Sequence, residues 1–204
     1  MTLLLALDTS TRFASAALFD GEHVLSETTW LAGREHSTRL LVEVELALQR
    51  VNKAQSDLTG VVVARGPGSY TGVRVALSVA KGIAAALRIP AYGVNSLDVL
   101  AASVGTEQVR VVLEAGRGRY ATALYRDGAC IEPPRLMTLG DLRDSEDTLL
   151  VGELSTDARS ALHSRLAPVA ASARRAGYLA ELGWRQAQHG DPGDPALLDA
   201  VYIS

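Results

Sequence analysis

The sequence holds one cysteine, Cys130, and four histidines in 204 residues. A single thiol excludes an internal disulfide and the four-cysteine zinc sites, and it suits a reducing, cytoplasmic setting. His23, His36, His163 and His189 show no paired spacing and no H-E-x-x-H occurs, which excludes a zinc-protease helix. Long hydrophobic runs are also missing. The opening Leu3-Leu4-Leu5-Ala6-Leu7 stops at Asp8, too short for a membrane span and without the basic flank of a signal peptide, so no membrane association is expected. Nor is there an excess of positive charge. A net charge of −3 argues against this chain alone gripping nucleic acid, which needs clustered Lys and Arg. No low-complexity linker divides the chain, and the Pro/Gly-rich stretch at 191–195 reads as a surface turn.

What is present is core material. At 48% hydrophobic and 21% charged residues, the chain can build one large domain or two small ones sharing an interface. Residues 3–8 read as a strand buried on both faces. Strands at 13–20 and 22–30 follow, joined by the hairpin signal Asp20-Gly21. A helix is expected from Ser37, as N-cap, to Asn52, with Leu40, Leu41, Val44, Leu48 and Val51 at helical spacing. A strand at 61–64, a helix over 71–88, a short strand at 92–95 and a small helix at 97–104 complete this half. The rhythm then restarts with strands at 109–115, 120–126 and 129–137, the second pair joined at Asp127-Gly128. A strand at 149–152 and helices near 155–166 and 178–189 follow. Three antiparallel strands, helix, strand, helix, occurring twice, point to an internal duplication with halves at 1–104 and 105–204.

Between the strand at 61–64 and the long helix lies ARGPGSYTG, residues 64–72. Glycine lets a ligand approach the main chain, and a helix N-terminus attracts anions, so Gly66, Gly68 and Gly72 are candidates to hold a phosphate. A tight turn that packs a helix onto a strand needs the same glycines. The Walker pattern is absent, because Val73-Arg74 stands where a lysine–hydroxyl pair belongs.

The following helix is more informative. Its internal polar residues Arg74, Ser78 and Lys81 lie on one narrow stripe, and the rest is apolar or small. A helix lying on one side of a sheet needs an apolar face of only about 100°. A second covered face, made by another chain, is therefore expected. Val42 and Leu46 in the first helix lie off its main stripe and point the same way.

LALDTST, REHSTRLL, ARGPGSYTGVRVALSVAKGIA and the segment ending GVNSLDVLA, in that order, resemble the TsaB (YeaZ) family. Its members partner the transferase TsaD in bacterial synthesis of threonylcarbamoyladenosine in tRNA. The resemblance covers residues 3–104 well and the second half loosely. It implies an α/β fold of the actin/Hsp70/sugar-kinase (ASKHA) type, two RNase H-like βββαβα subdomains with the second reduced.

The resemblance also implies a division of labour. In TsaD the glycine segment is followed by N-H-x-E-G-H, whose histidines bind a metal. Here Ser96 and Leu100 occupy those two places, so no metal is expected on this chain. Nor do the residues support the peptidase label once attached to this superfamily. The phosphate hairpins of the fold correspond to Asp8, Thr9 and Ser10, which lack a glycine, and to the turn after Glu114. That turn keeps Gly116 but departs from the Asp-Ala-Arg more usual in TsaB. The chain is expected to fall short of a TsaD-length adenosine-binding region.

The resemblance implies a non-catalytic platform with no cofactor of its own, ATP and a metal being used by its partners. It would pair with TsaD, with Leu40, Val44, Leu48, Val75, Val79, Ala80, Gly82, Ile83 and Ala86 facing the partner. The pair would engage the ATPase TsaE and meet tRNA only through the complex. Alone, the chain would form a homodimer. The alternative is an ATP-binding phosphotransferase of the same fold using Asp8 and the glycine loops.

Overall fold

The computed structural model describes residues 2–32, 36–105, 108–145, 149–162 and 166–203. Arg34 and Glu35 of the second motif, and His163, lie outside the described residues.

Two sheets repeat one plan. In the first, β1 (Leu4–Asp8), β2 (Phe13–Phe19) and β3 (Val24–Leu31) are antiparallel neighbours. β4 (Gly60–Ala64) and β5 (Ala91–Val94) then extend the sheet in parallel, in the order β3-β2-β1-β4-β5. In the second, β6 (Gln108–Gly116), β7 (Arg119–Arg126) and β8 (Ala129–Thr138) are antiparallel and β9 (Leu149–Glu153) joins β6 in parallel, in the order β8-β7-β6-β9. This is the expected ASKHA arrangement of two RNase H-like units. The second is reduced among the described residues: it has four strands, and Leu166 makes one isolated parallel bridge to Leu150.

β1 shows why the centre holds together. Every residue of Leu4–Asp8 is buried, and alternation divides the strand between two cores. Leu3, Leu5 and Leu7 join Val61 and Val63 on one side of the sheet, while Leu4 and Ala6 join Val62 and Ala64 on the other. The first side is covered by α1 (His36–Arg50) and α2 (Tyr70–Leu87), with Ser37 falling inside α1 rather than capping it. The second side is covered by α6 (Ala176–Gln188), through Ala176, Leu179 and Ala180.

That placement corrects the division at 104/105. α6 comes from the second half of the sequence yet packs on the first sheet. Conversely α3 (Ser96–Ala102) places Leu97, Leu100 and Ala101 in the core beneath the second sheet, against Val109, Val111 and Val151. The halves exchange a helix because each sheet has two apolar faces, and a face left open would cost about 25 cal/mol per Å² of exposed apolar area. The opposite face of the second sheet is closed by α4 (Leu139–Asp144) and α5 (Thr156–Leu162), through Leu142, Ala158 and Leu162.

Local signals read as expected at Asp127-Gly128, whose φ values of 50° and 77° form a two-residue hairpin loop. α4 was not anticipated. Its signature is a capping box, in which Asp141 N donates to Thr138 Oγ1 (3.2 Å) and Thr138 N donates to Asp141 Oδ2 (2.7 Å).

Candidate functional site

The two sheets meet at a cleft of about 520 Å³, lined by Thr11, Arg12, Gly68, Ser69, Tyr70, Glu114, Gly116, Glu153 and Ser155 among others. Asp8, at the end of β1, lies behind this wall and is 1% exposed. Its Oδ1 accepts from Ser10 N (2.8 Å) and from Ser10 Oγ (2.6 Å). With the Ser10 proton committed to Asp8, Ser96 Oγ, 3.1 Å away, donates to Ser10 Oγ. Thr9 turns aside, and its hydroxyl donates to the Gly72 carbonyl at 2.6 Å.

The cation that these oxygens face is Arg174, 2% exposed, on the segment that carries the chain from the second sheet back to α6. Its Nη1 donates to Ser10 Oγ and lies 3.3 Å from Asp8 Oδ2. Its Nη2 donates to Thr11 Oγ1 at 2.7 Å, and its Nε lies 3.5 Å from Glu153 Oε1. Thr11 Oγ1 in turn donates to Glu153 Oε1 at 2.8 Å. Burial pushes the Glu153 carboxyl above the ordinary range; Arg174 and the Thr11 bond pull it down, and the Asp8 charge pushes it up. Arg175 and the Gly177 N–H both bond to Glu27 on β3, which anchors this crossing segment.

The glycines of residues 66–72 resolve into backbone packing. A Cβ on Gly68 would sit 2.2 Å from the Ser10 carbonyl oxygen, and one on Gly72 would sit 2.0 Å from that of Thr9. Gly66 has φ of +94°, and a Cβ there would meet the Val201 carbonyl at 2.7 Å. The loop therefore presses α2 onto the turn after β1 and onto the chain near 201. Ser69 caps α2 by accepting from Gly72 N at 3.3 Å. Gly68 and Gly116 reach the cleft wall, while Gly66 and Gly72 do not line it. Glu114 accepts from Ser155 N at 2.7 Å.

At the two positions that correspond to metal ligands, the Ser96 hydroxyl is tied to Ser10 and Leu100 is packed in a core. Among the described residues no group of three or more His, Cys, Asp and Glu side chains is placed to hold a metal. Asp8 Oδ2 faces the Arg174 guanidinium at 3.3 Å.

A second candidate surface lies on the outer faces of α1 and α2. Of the residues expected to meet a partner, Leu40, Val44, Leu48 and Ala80 are buried in this chain's own core. They form the main stripe of each helix, and the sheet beneath covers that stripe first. Val75, Val79 and Ile83 are half-buried, and Gly82 and Ala86 are exposed. The surface continues on α1 through Leu41, Val42 and Leu46, which are 53%, 50% and 38% exposed. α2 is apolar and long enough by composition to cross a bilayer, but a third of it is buried against the sheet.

Comparisons with known proteins agree with this architecture. A model of the family TsaD, tRNA N6-adenosine threonylcarbamoyltransferase, matches residues 29–131, just over half of the chain. The solved structure of YeaZ from Pseudomonas aeruginosa superposes with a TM-score of 0.85 over 100% of both chains, at 26% identity. The tRNA threonylcarbamoyladenosine biosynthesis protein TsaB of Bacillus subtilis is 38% identical over 125 residues. The chain belongs to the TsaB/YeaZ family. An uncharacterized protein of Mycobacterium tuberculosis is 33% identical over 144 residues, covering 70% of this chain and 68% of its own length. The match to the Bacillus TsaB covers 60% of this chain and 55% of that protein, so the chain spans about half the length of that relative.

Within this TsaB/YeaZ frame, sequence reasoning located Asp8, Ser10 and Ser96 but missed Arg174 and Glu153. Glu153 carried a weak signal, an acid closing a buried strand. Arg174 carried none, since Arg174-Arg175 sits in a segment without periodicity.

Proposed function

We propose that this chain is the non-catalytic, activating platform subunit of a tRNA N6-threonylcarbamoyladenosine synthesis complex. It dimerises with a TsaD-type transferase through the outer faces of α1 and α2, and the pair recruits a TsaE-type ATPase. ATP and metal are handled by those partners, tRNA is met through the complex, and the setting is the cytoplasm. Without its partner the chain pairs with itself through the same faces.

The observation that carries this reading is the apolar surface of Val42 and Leu46 with Val75, Val79 and Ile83, which pack against the core yet are only half-buried, on the opposite side of the sheet from α6. Such a surface on a soluble fold marks an interaction site. The name of the Bacillus relative supports the pathway. A phosphotransferase would need the Asp8 carboxylate free to meet a metal-bound phosphate, and that carboxylate is engaged by Ser10 and Arg174.

Size-exclusion chromatography with light scattering tests the reading on the chain alone and mixed with TsaD from the same organism. A species at the summed mass is expected, lost with Val79→Glu. Unshifted peaks that persist with nucleotide and tRNA present would overturn the platform role.

A further inference from the structure

We propose that Asp8, Ser10, Thr11 and Glu153 form a buried cation site, and that the chain fills it with its own guanidinium, Arg174. This goes beyond the platform reading and does not depend on it. The site takes its carboxylates from both sheets: Asp8 closes β1 and Glu153 closes β9. Two hydroxyls complete the oxygen set, Ser10 Oγ and Thr11 Oγ1, and both accept from Arg174.

Two atoms show that the arrangement is built around charge rather than around a closed hydrogen-bond network. Asp8 Oδ2 and Arg174 Nε are both buried and have no hydrogen-bond partner. Each instead faces an opposite charge, Asp8 Oδ2 at 3.3 Å from Arg174 Nη1 and Arg174 Nε at 3.5 Å from Glu153 Oε1. Two carboxylates so enclosed cannot both stay ionised unless a positive charge lies between them. An all-oxygen set of this kind suits a hard cation such as Mg²⁺ or Mn²⁺. Arg174 supplies the charge covalently, from a segment fixed on its other side by the Arg175–Glu27 pair. The site is thereby occupied without an exchangeable ion, and the two sheets are tied across the cleft.

The test compares thermal melts of the full-length chain and Arg174→Ala, each with and without millimolar MnCl₂ or methylguanidinium, with calorimetric titration of Mn²⁺. Removing one partner of a buried charge cluster in a chain of this size should lower Tm by about 10 °C. Mn²⁺ or methylguanidinium should restore several degrees to Arg174→Ala and none to the unmodified chain. Mn²⁺ should bind the variant at one site per chain, and adding Asp8→Asn should abolish that binding. A folded Arg174→Ala that melts with the unmodified chain, or that responds to neither ion, would overturn the proposal. So would an unmodified chain that takes up Mn²⁺ in a manner lost with Asp8→Asn. If Arg174→Ala does not fold, Asp8→Asn/Glu153→Gln/Arg174→Ala decides the matter. This variant needs no cation and should fold; its failure would make Arg174 a packing residue and refute the site.

Discussion

The cleft and the outer helical face of this molecule treat their unmet groups in opposite ways. At the floor of the cleft, Glu153 and, behind it, Asp8 are answered from within the chain, by Ser10, Thr11 and Arg174. On α1 and α2, Val42, Leu46, Val79 and Ile83 have been left without full cover. The first arrangement satisfies buried charge without any outside group. The second leaves open a place where a helix would ordinarily be polar. Taken together they fit the proposed binding subunit better than a phosphotransferase.

Substitutions along α2 break this comparison most sharply. Ala84 is 1% exposed and faces the sheet, so Ala84→Glu should unfold the chain, burying an unpaired charge at a cost of at least about 4 kcal/mol. Val79→Glu, five residues earlier and half-buried at the edge of the core, where a longer side chain can reach solvent, should keep the chain folded while abolishing self-association; circular dichroism and light scattering separate the two effects. At the glycine loop, Gly72→Ala should cost about 3 kcal/mol in a urea titration. Its Cβ would meet the Thr9 carbonyl oxygen at 2.0 Å, and the neighbours are backbone that cannot turn away. Gly82, on the open face of the same helix, has nothing within 4 Å of a Cβ. Gly82→Ala should therefore stabilise the monomer by about 0.5–1 kcal/mol in the same titration, the helix-propensity difference alone.

The smallest effect concerns Glu153. Its carboxyl is held above the ordinary value of 4.5, chiefly by burial. The folded chain thus binds this proton more tightly than the unfolded chain does. The group's contribution to stability is fully present below 4.5 and is lost as pH rises through the raised value. Glu153→Gln keeps the shape and leaves Arg174 balanced by Asp8. It should melt at or slightly above the unmodified chain near about pH 8, with the difference vanishing toward about pH 4.

Much of the fold was legible in the sequence because its signals are local. The double-sided burial of β1 follows from five apolar residues ended by an acid, and Asp127-Gly128 announces its hairpin. The apolarity of α2 around most of its girth signalled more apolar surface than the sheet covers, and Val42 and Leu46 are exposed as their place off the α1 stripe suggests. Periodicity locates a stripe without saying what covers it, so Leu40, Val44, Leu48 and Ala80 were assigned to a partner when they belong to the core. The same limit hid the helix exchange, since nothing local in α3 or α6 records which sheet lies beneath. Arg174 was out of reach for a further reason: it meets Ser10 from 164 positions away along the chain, and no spacing rule links them.

The central claim, an open helical face beside a charge site satisfied from within the chain, is tested most directly by sedimentation equilibrium of the chain alone, with and without Val79→Glu. The account predicts a dimer for the unmodified chain, and for the variant a monomer that stays folded. A chain that remains monomeric at every concentration, or a variant that still dimerises, would contradict it.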